Sequence, residues 1–107
     1  MKVRVFNIIN SNLAININDG VLVYEAIKDI LPSELSISFD DINRISTAFL
    51  NESIGRYASL NPNKINLVDF DIPDGKDIFH HRINDVIENA LLGEEYDNLV
   101  NNASYSL

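Results

Sequence analysis

Leu35 to Asp40 reads as strict alternation, with Leu35, Ile37 and Phe39 on one face and Ser36, Ser38 and Asp40 on the other. Period-2 patterning of this kind marks a strand with one buried face. Helical spacing brackets it on both sides. Upstream, Leu22, Val23, Ala26, Ile27 and Ile30 recur at three-to-four intervals across Val21 to Leu31, and downstream Leu50, Ile54, Tyr57 and Ala58 do the same. Lys2 to Ile9, Leu13 to Ile17 and Ile65 to Phe70 supply further strand-length runs, and Asp77 to Leu92 carries the longest helical pattern. Strands separated by helices cannot close as tight hairpins, so they pair through crossovers into a mostly parallel sheet with the helices stacked on it. The expectation is an α/β domain, with a sheet of about four to five strands, mixed or mostly parallel, and about three helices. With so few strands, one sheet face is expected to be thinly covered and open to docking.

Punctuation gives the boundaries. Asp19 is a plausible N-cap for the first helix and Pro32 closes it, while Ser46 or Thr47 caps the second and Asn61-Pro62-Asn63 stops it. A turn through Pro73, Asp74 and Gly75 precedes the last helix, and Gly93 is its expected stop. Residues 1–93 form a single domain on this reading, and 94–107 an acidic, Asn-rich C-terminal tail or short helix. Glycines 20, 75 and 93 read as punctuation. Gly55 lies inside a helix, where glycine costs about 1 kcal/mol relative to alanine, so it implies close packing against the sheet or a partner.

Charge and composition remove several functional classes. Eight basic against sixteen acidic residues give a net charge of −8, which argues against generic binding to nucleic acid or to an anionic membrane. The chain has no cysteine, so thiolate metal sites, disulfides and a cysteine nucleophile are excluded. No apolar run approaches the ~20 residues of a membrane span and nothing resembles an export signal, so a cytoplasmic location is expected. His80 and His81 are adjacent and point about 100° apart on a helix, so they do not converge on an ion even with Asp77, Asp85 and Glu88 at helical spacings. The cluster Asp69, Asp71, Asp74 and Asp77 fails the calcium-loop pattern, which puts ligands at positions 1, 3 and 5 and glycine at 6; from Asp69, Pro73 and Asp74 fall at the fifth and sixth. No nucleophile elbow, phosphate loop or zinc-protease motif is present. The expectation is no enzyme, no cofactor and no metal.

The informative segment is Ser36 to Tyr57, SISFDDINRISTAFLNESIGRY. A strand runs into an acidic loop and then to hydroxyl residues at a helix start, where free N–H groups favour an anion and also favour plain capping. This segment resembles the STAS family of anti-sigma-factor antagonists, and more closely the STAS-like domain of unknown function with its strand-loop-S-x-F-x-x-E signature. That signature corresponds to Thr47-Ala48-Phe49-Leu50-Asn51-Glu52, with Phe39-Asp40 at the acidic end of the central strand. Similarity in segment order runs from Met1 to about Leu92, and motif-level similarity from Leu35 to Tyr57.

The resemblance implies a small STAS-like α/β fold. It also implies a non-enzymatic regulatory role in bacterial partner switching, in which the helix starting at Ser46 binds a GHKL-type ATPase or kinase. Partner-binding residues are then Asp40, Asp41, Arg44, Ser46, Thr47, Phe49 and Glu52, with Phe49 either anchoring the interface or belonging to the core. STAS antagonists are phosphorylated within an Asp-Ser-Ser/Thr-Gly motif at this helix start. Aligned on Gly55-Arg56-Tyr57, the acceptor position holds Ala48, which cannot be phosphorylated; a slip of one residue makes Thr47 the acceptor, with Ser46 beside it. Two other readings stay open. One is a small acidic inhibitor from a mobile element that blocks a nucleic-acid-binding or effector surface. The other is a homodimer or larger homo-oligomer using a sheet edge or Tyr96, Leu99, Val100 and Tyr105.

Overall fold

The segment singled out by its alternation becomes the central strand of the molecule. In the computed structural model, which describes the backbone of residues 1–106 and the side chains of residues 1–93, β1 (Lys2–Arg4), β3 (Ser36–Ser38) and β5 (Asp69–Asp71) form a parallel sheet in the order β1-β3-β5. Lys2, Ser36 and Asp69 share one register row, Val3, Ile37 and Phe70 the next, and Arg4, Ser38 and Asp71 the third. A second sheet pairs β2 (Leu13–Ala14) with β4 (Arg44–Ile45), also in parallel. The helices are α1 (Val5–Ile9), α2 (Ile17–Ile27), α3 (Thr47–Leu50), α4 (Arg56–Leu60) and α5 (Asp77–Ser106). A π-helical turn, Asn51–Gly55, joins α3 to α4. The fold is the expected α/β type with five parallel strands, divided between two sheets.

Leu35, Ile37 and Phe39 are all buried, as their alternation requires. They join Val23 and Ile27 of α2, Phe49 and Leu50 of α3, Tyr57 and Ala58 of α4, and Phe79, Ile83 and Val86 of α5 in one core. The other sheet face is polar. The Ser36 hydroxyl donates to Asp69 (2.9 Å), that of Ser38 donates to Asp71 (3.2 Å), and the Lys2 ammonium lies 2.9 Å from the Asp71 carboxylate. This face, expected to be open, carries cross-strand polar pairs, and Ser38 within it is fully buried.

Several boundaries differ from the sequence expectation. The first strand ends at Arg4, because Val5, Ile8 and Ile9 also satisfy helical spacing and Asn10, at φ 54°, turns its N–H back to the Phe6 carbonyl (2.8 Å). Asn16 caps α2 in place of Asp19: its amide oxygen accepts from the Asp19 N–H (2.8 Å) while its amide donates to the Asp19 carboxylate (3.0 Å). This reciprocal pairing has the logic of a capping box. The stripe on α2 that faces the core is Gly20, Val23, Tyr24 and Ile27, leaving Leu22 and Ala26 exposed. Ile65 to Phe70 splits into a 3-10 turn, Ile65–Leu67, and then β5. Ile65 and Val68 lie one 3-10 turn apart and both are buried. Helix α5 passes through Gly93 to Ser106; the side chains of Tyr96, Leu99, Val100 and Tyr105, and all of Leu107, lie outside the described residues.

Two glycines set how closely the helices approach. A Cβ on Gly55 would sit 3.2 Å from Val86 Cγ1, so Gly55 admits α5, where the sequence suggested the sheet or a partner. Gly20 is tighter and is no mere punctuation: its Cβ would meet the Phe49 carbonyl oxygen at 2.6 Å and Glu52 Cβ at 2.9 Å. Gly20→Ala is expected to destabilise the chain by about 1–3 kcal/mol in urea unfolding, since the obstacle is backbone. Gly93 gives the opposite sign, because a methyl group added there would have nothing within 4 Å. Gly93→Ala should raise α5 helicity and gain up to about 1 kcal/mol.

Candidate functional site

Parallel strands point the same way, so the segments leaving β1, β3 and β5 gather at one end of the sheet. Open α/β sheets place their binding surfaces at this carboxyl end. Here it is built around residues 39–46, which leave the central strand. The Phe39 N–H donates to the Asp71 carbonyl (2.9 Å) and the Ile42 N–H back to the Phe39 carbonyl (3.1 Å), closing a tight turn. Asp41, at φ 66°, takes the left-handed conformation that the turn requires; aspartate is among the few residues that enter it readily. The Ser38 hydroxyl accepts from the Asp40 N–H (3.3 Å), and Asp41 is paired with the Arg4 guanidinium from the end of β1.

The chain is then tied to β2. The Asn12 carbonyl accepts from the Asn43 N–H at 2.7 Å, and the Ala14 carbonyl from the Ser46 N–H at 3.0 Å. Ser46 is the N-cap of α3. Its hydroxyl accepts from the Phe49 N–H (3.1 Å) and donates to the Ile15 carbonyl (2.6 Å), so one side chain both starts the helix and fastens it to the strand below. The choice between Ser46 and Thr47 as cap falls to Ser46, leaving the Thr47 side chain exposed beside exposed Ala48.

Of the residues singled out in the sequence, Asp40, Asp41, Arg44, Ser46 and Thr47 follow one another along this end, and Arg44 is exposed. Phe49 takes the core alternative: it is fully buried and does not stand on the surface. Glu52 sits on the seam between α2 and the π-turn, with its carboxylate 3.6 Å from the Arg56 guanidinium. Within the same turn the buried Ser53 hydroxyl donates back to the Phe49 carbonyl (2.9 Å), so its polar group is satisfied inside the core.

Gly55, Arg56 and Tyr57 each meet another part of the fold. Gly55 admits α5, the Arg56 guanidinium lies 4.1 Å over the Tyr24 ring of α2, and the Tyr57 hydroxyl donates to the Ile30 carbonyl (2.6 Å). Burial pushes the Tyr57 phenol above its ordinary value. Sequence reasoning missed the contributions of Arg4 and Asn12, which lie far from the motif; Lys76 is a third, its ammonium donating to the Asn43 carbonyl (3.2 Å). Among the described residues no three His, Asp or Glu side chains are grouped to hold a metal ion, and no helix is long and apolar enough to cross a membrane. His80 and His81 are both exposed on α5.

The ion pair under this end also carries a pH signature. The hydrogen bond from the Lys2 ammonium, and then its charge, hold the Asp71 carboxyl below its ordinary range, and the same bond raises Lys2 above its own. The Asp71 contribution is complete above the ordinary carboxylate range and is lost as pH falls through the depressed value. That of Lys2 is complete below its ordinary value and is lost as pH rises through the raised one. Lys2→Met should therefore flatten both limbs of the stability-pH curve and return the Asp71 titration midpoint, read by carboxyl-carbon NMR, toward the ordinary value. Ser46→Ala removes a cap and the bond to Ile15 and is expected to cost about 1–2 kcal/mol in urea unfolding. Thr47→Ala, at an exposed position, should stay within about 0.5 kcal/mol of the parent.

Neither the curated proteins nor the solved structures gave a significant match to the chain. A family model does match, that of the STAS-like domain of unknown function, over residues 19–72. That span begins in the first turn of α2 and ends just after β5, taking in the central strand, residues 39–46, α3, the π-turn and α4. Covering half of the 107 residues, it places the chain in the family of STAS-like domains of unknown function.

Proposed function

We propose that the chain is a non-enzymatic regulatory module that docks a protein partner through residues 39–47. By the resemblance to anti-sigma-factor antagonists, the partner is a GHKL-type ATPase or kinase. The observation that carries this reading is the combination of exposure with anchoring from beneath. Asp41 is held by Arg4, Asn43 by Asn12 and Lys76, and Ser46 by Ala14 and Ile15, yet Asp41, Arg44, Thr47 and Ala48 face solvent. A surface fixed before it meets its partner loses little ordering entropy on binding. Asp40, Asp41, Arg44, Ser46, Thr47 and Glu52 form the polar rim, and Phe49 supports it from the core.

The acidic-inhibitor alternative needs carboxylates free on one face. Glu25, Asp41, Glu52 and Asp71, four of the sixteen acidic residues, are each engaged by a basic side chain of the same molecule and are not free for that role. Thr47 is the better phosphoacceptor of the two hydroxyl residues, because the Ser46 hydroxyl already makes two hydrogen bonds.

A pull-down with an ATPase encoded beside this chain tests the surface. The double substitution Asp40→Lys with Asp41→Lys is expected to abolish capture, whereas Arg4→Ala, which removes only the pair beneath, should retain most of it. Capture that survives the double reversal eliminates this surface. Incubation with that kinase and ATP should add one phosphate to the intact mass of the parent chain and none to Thr47→Ala; an unmodified parent mass removes the phosphorylation reading and leaves the docking reading standing.

A further inference from the structure

The eight basic side chains of this chain, whose net charge is −8, are not used alike. Lys2, Arg4, Lys28 and Arg56 each pair with a carboxylate of the same molecule. The remaining four are Arg44, Lys64, Lys76 and Arg82, none of which has a carboxylate within ion-pair distance among the described residues. Three of these four meet at one place. Arg44 at the start of β4 and Arg82 in the second turn of α5 line a cleft of about 370 Å³, together with Ile15, Asn43, Ile78 and Phe79. Lys76 donates to the carbonyl of Asn43 in the cleft wall and lies 5.7 Å over the Phe79 ring.

The cleft is apolar between its cations. Phe79 and Ile45 are buried, while Ile15 and Ile78 remain 44% and 53% exposed. Ile78 does not belong to the α5 stripe formed by Phe79, Ile83 and Val86, so the packing of the domain leaves it facing outward. Unpaired guanidinium groups beside exposed isoleucine side chains suit a carboxylate adjacent to a large apolar side chain, since arginine takes carboxylates through paired N–H donors and the apolar side chain covers the isoleucines. A nucleic acid or membrane extends well past three cations and would meet the surrounding negative charge within a Debye length of about 8–10 Å.

We propose that this cleft docks a short acidic segment of a partner protein, one carrying a bulky apolar side chain between its carboxylates. The cleft shares Asn43, Arg44 and Ile45 with residues 39–47 and extends from them onto α5, where Ile78, Phe79 and Arg82 lie outside the surface proposed above. Arg82, outside residues 39–47, tests the cleft apart from that surface.

Panning a random dodecapeptide display library against the full chain, followed by fluorescence anisotropy of the enriched peptides, tests the proposal. Enriched peptides are expected to be net acidic with at least one Leu, Ile, Phe or Trp. Arg44→Glu with Arg82→Glu should weaken their binding at least tenfold, and Arg82→Gln alone at least threefold, which keeps the test decisive where the double variant fails to fold. Lys64→Glu, reversing the unpaired cation outside the cleft, should change binding less than twofold. An absence of enriched peptides, enrichment of neutral or basic ones, or equal loss in Lys64→Glu overturns the proposal. So does a dimer, seen by light scattering across a dilution series, that Arg82→Gln dissociates, because the occupant is then a second copy of this chain.

Discussion

The close approach of Gly20 to the Phe49 carbonyl governs the arrangement of helices in this domain. The π-turn Asn51–Gly55 widens the helical stretch just after α3, and the Ser53 hydroxyl donates to the Phe49 carbonyl. Where that carbonyl stands, a methyl group on α2 would lie 2.6 Å away, so only glycine lets α2 lie on the turn. At the end of the same turn, Gly55 leaves room for Val86 of α5, whose Cγ1 would lie 3.2 Å from an added Cβ. One short irregular segment thus receives a helix on each side. Glycine in a helix costs about 1 kcal/mol of propensity, and the packing it permits brings Val23, Ile27, Ile54 and Val86 into a single core.

The candidate surface inherits its position from this packing. Phe49 and Leu50 sink α3 into the core, which fixes the direction in which Thr47 and Ala48 face, and Ser46 fastens the helix start to β2. Hydrogen bonds from the Asp40, Phe39 and Asn43 N–H groups to the Ser38 hydroxyl, the Asp71 carbonyl and the Asn12 carbonyl then hold the preceding turn at the end of the sheet. Gly55-Arg56-Tyr57, the stretch on which the STAS resemblance is aligned, has a structural explanation at every position: admission of α5, stacking on Tyr24 and a hydrogen bond to the Ile30 carbonyl. It identifies the fold more directly than any ligand.

Period and capping made the architecture legible where one pattern had a single interpretation. The Leu35 to Phe39 alternation, the Leu50, Ile54, Tyr57 and Ala58 face, and the cap at residue 46 or 47 all correspond to observed features. Ambiguity arose where two periods coincide, as at Val5, Ile8 and Ile9, or where a 3-10 turn places Ile65 and Val68 on the same side. The short β4 strand carries too few residues to show any period, and its pairing with β2 divides the sheet in two. Gly20 was misread because its reason lies in the carbonyl of a residue 29 positions further on. Arg4 and Lys76 escaped notice for the same reason: their contributions to the turn are tertiary, and nothing local announces them.

The parallel pairing has a consequence for how the chain comes to be folded. Every rung of the main sheet joins residues 33 or more positions apart, as Lys2 to Ser36 and Ser36 to Asp69 do. Closing such long loops before any pairing is gained slows folding relative to a helical bundle of similar size. During synthesis the first strand must wait for its neighbour, and the ion pair between Lys2 and Asp71 cannot form until residue 71 has left the ribosome. The native helix–helix contacts nearest in sequence are instead those between α1 and α2, which close without any such loop.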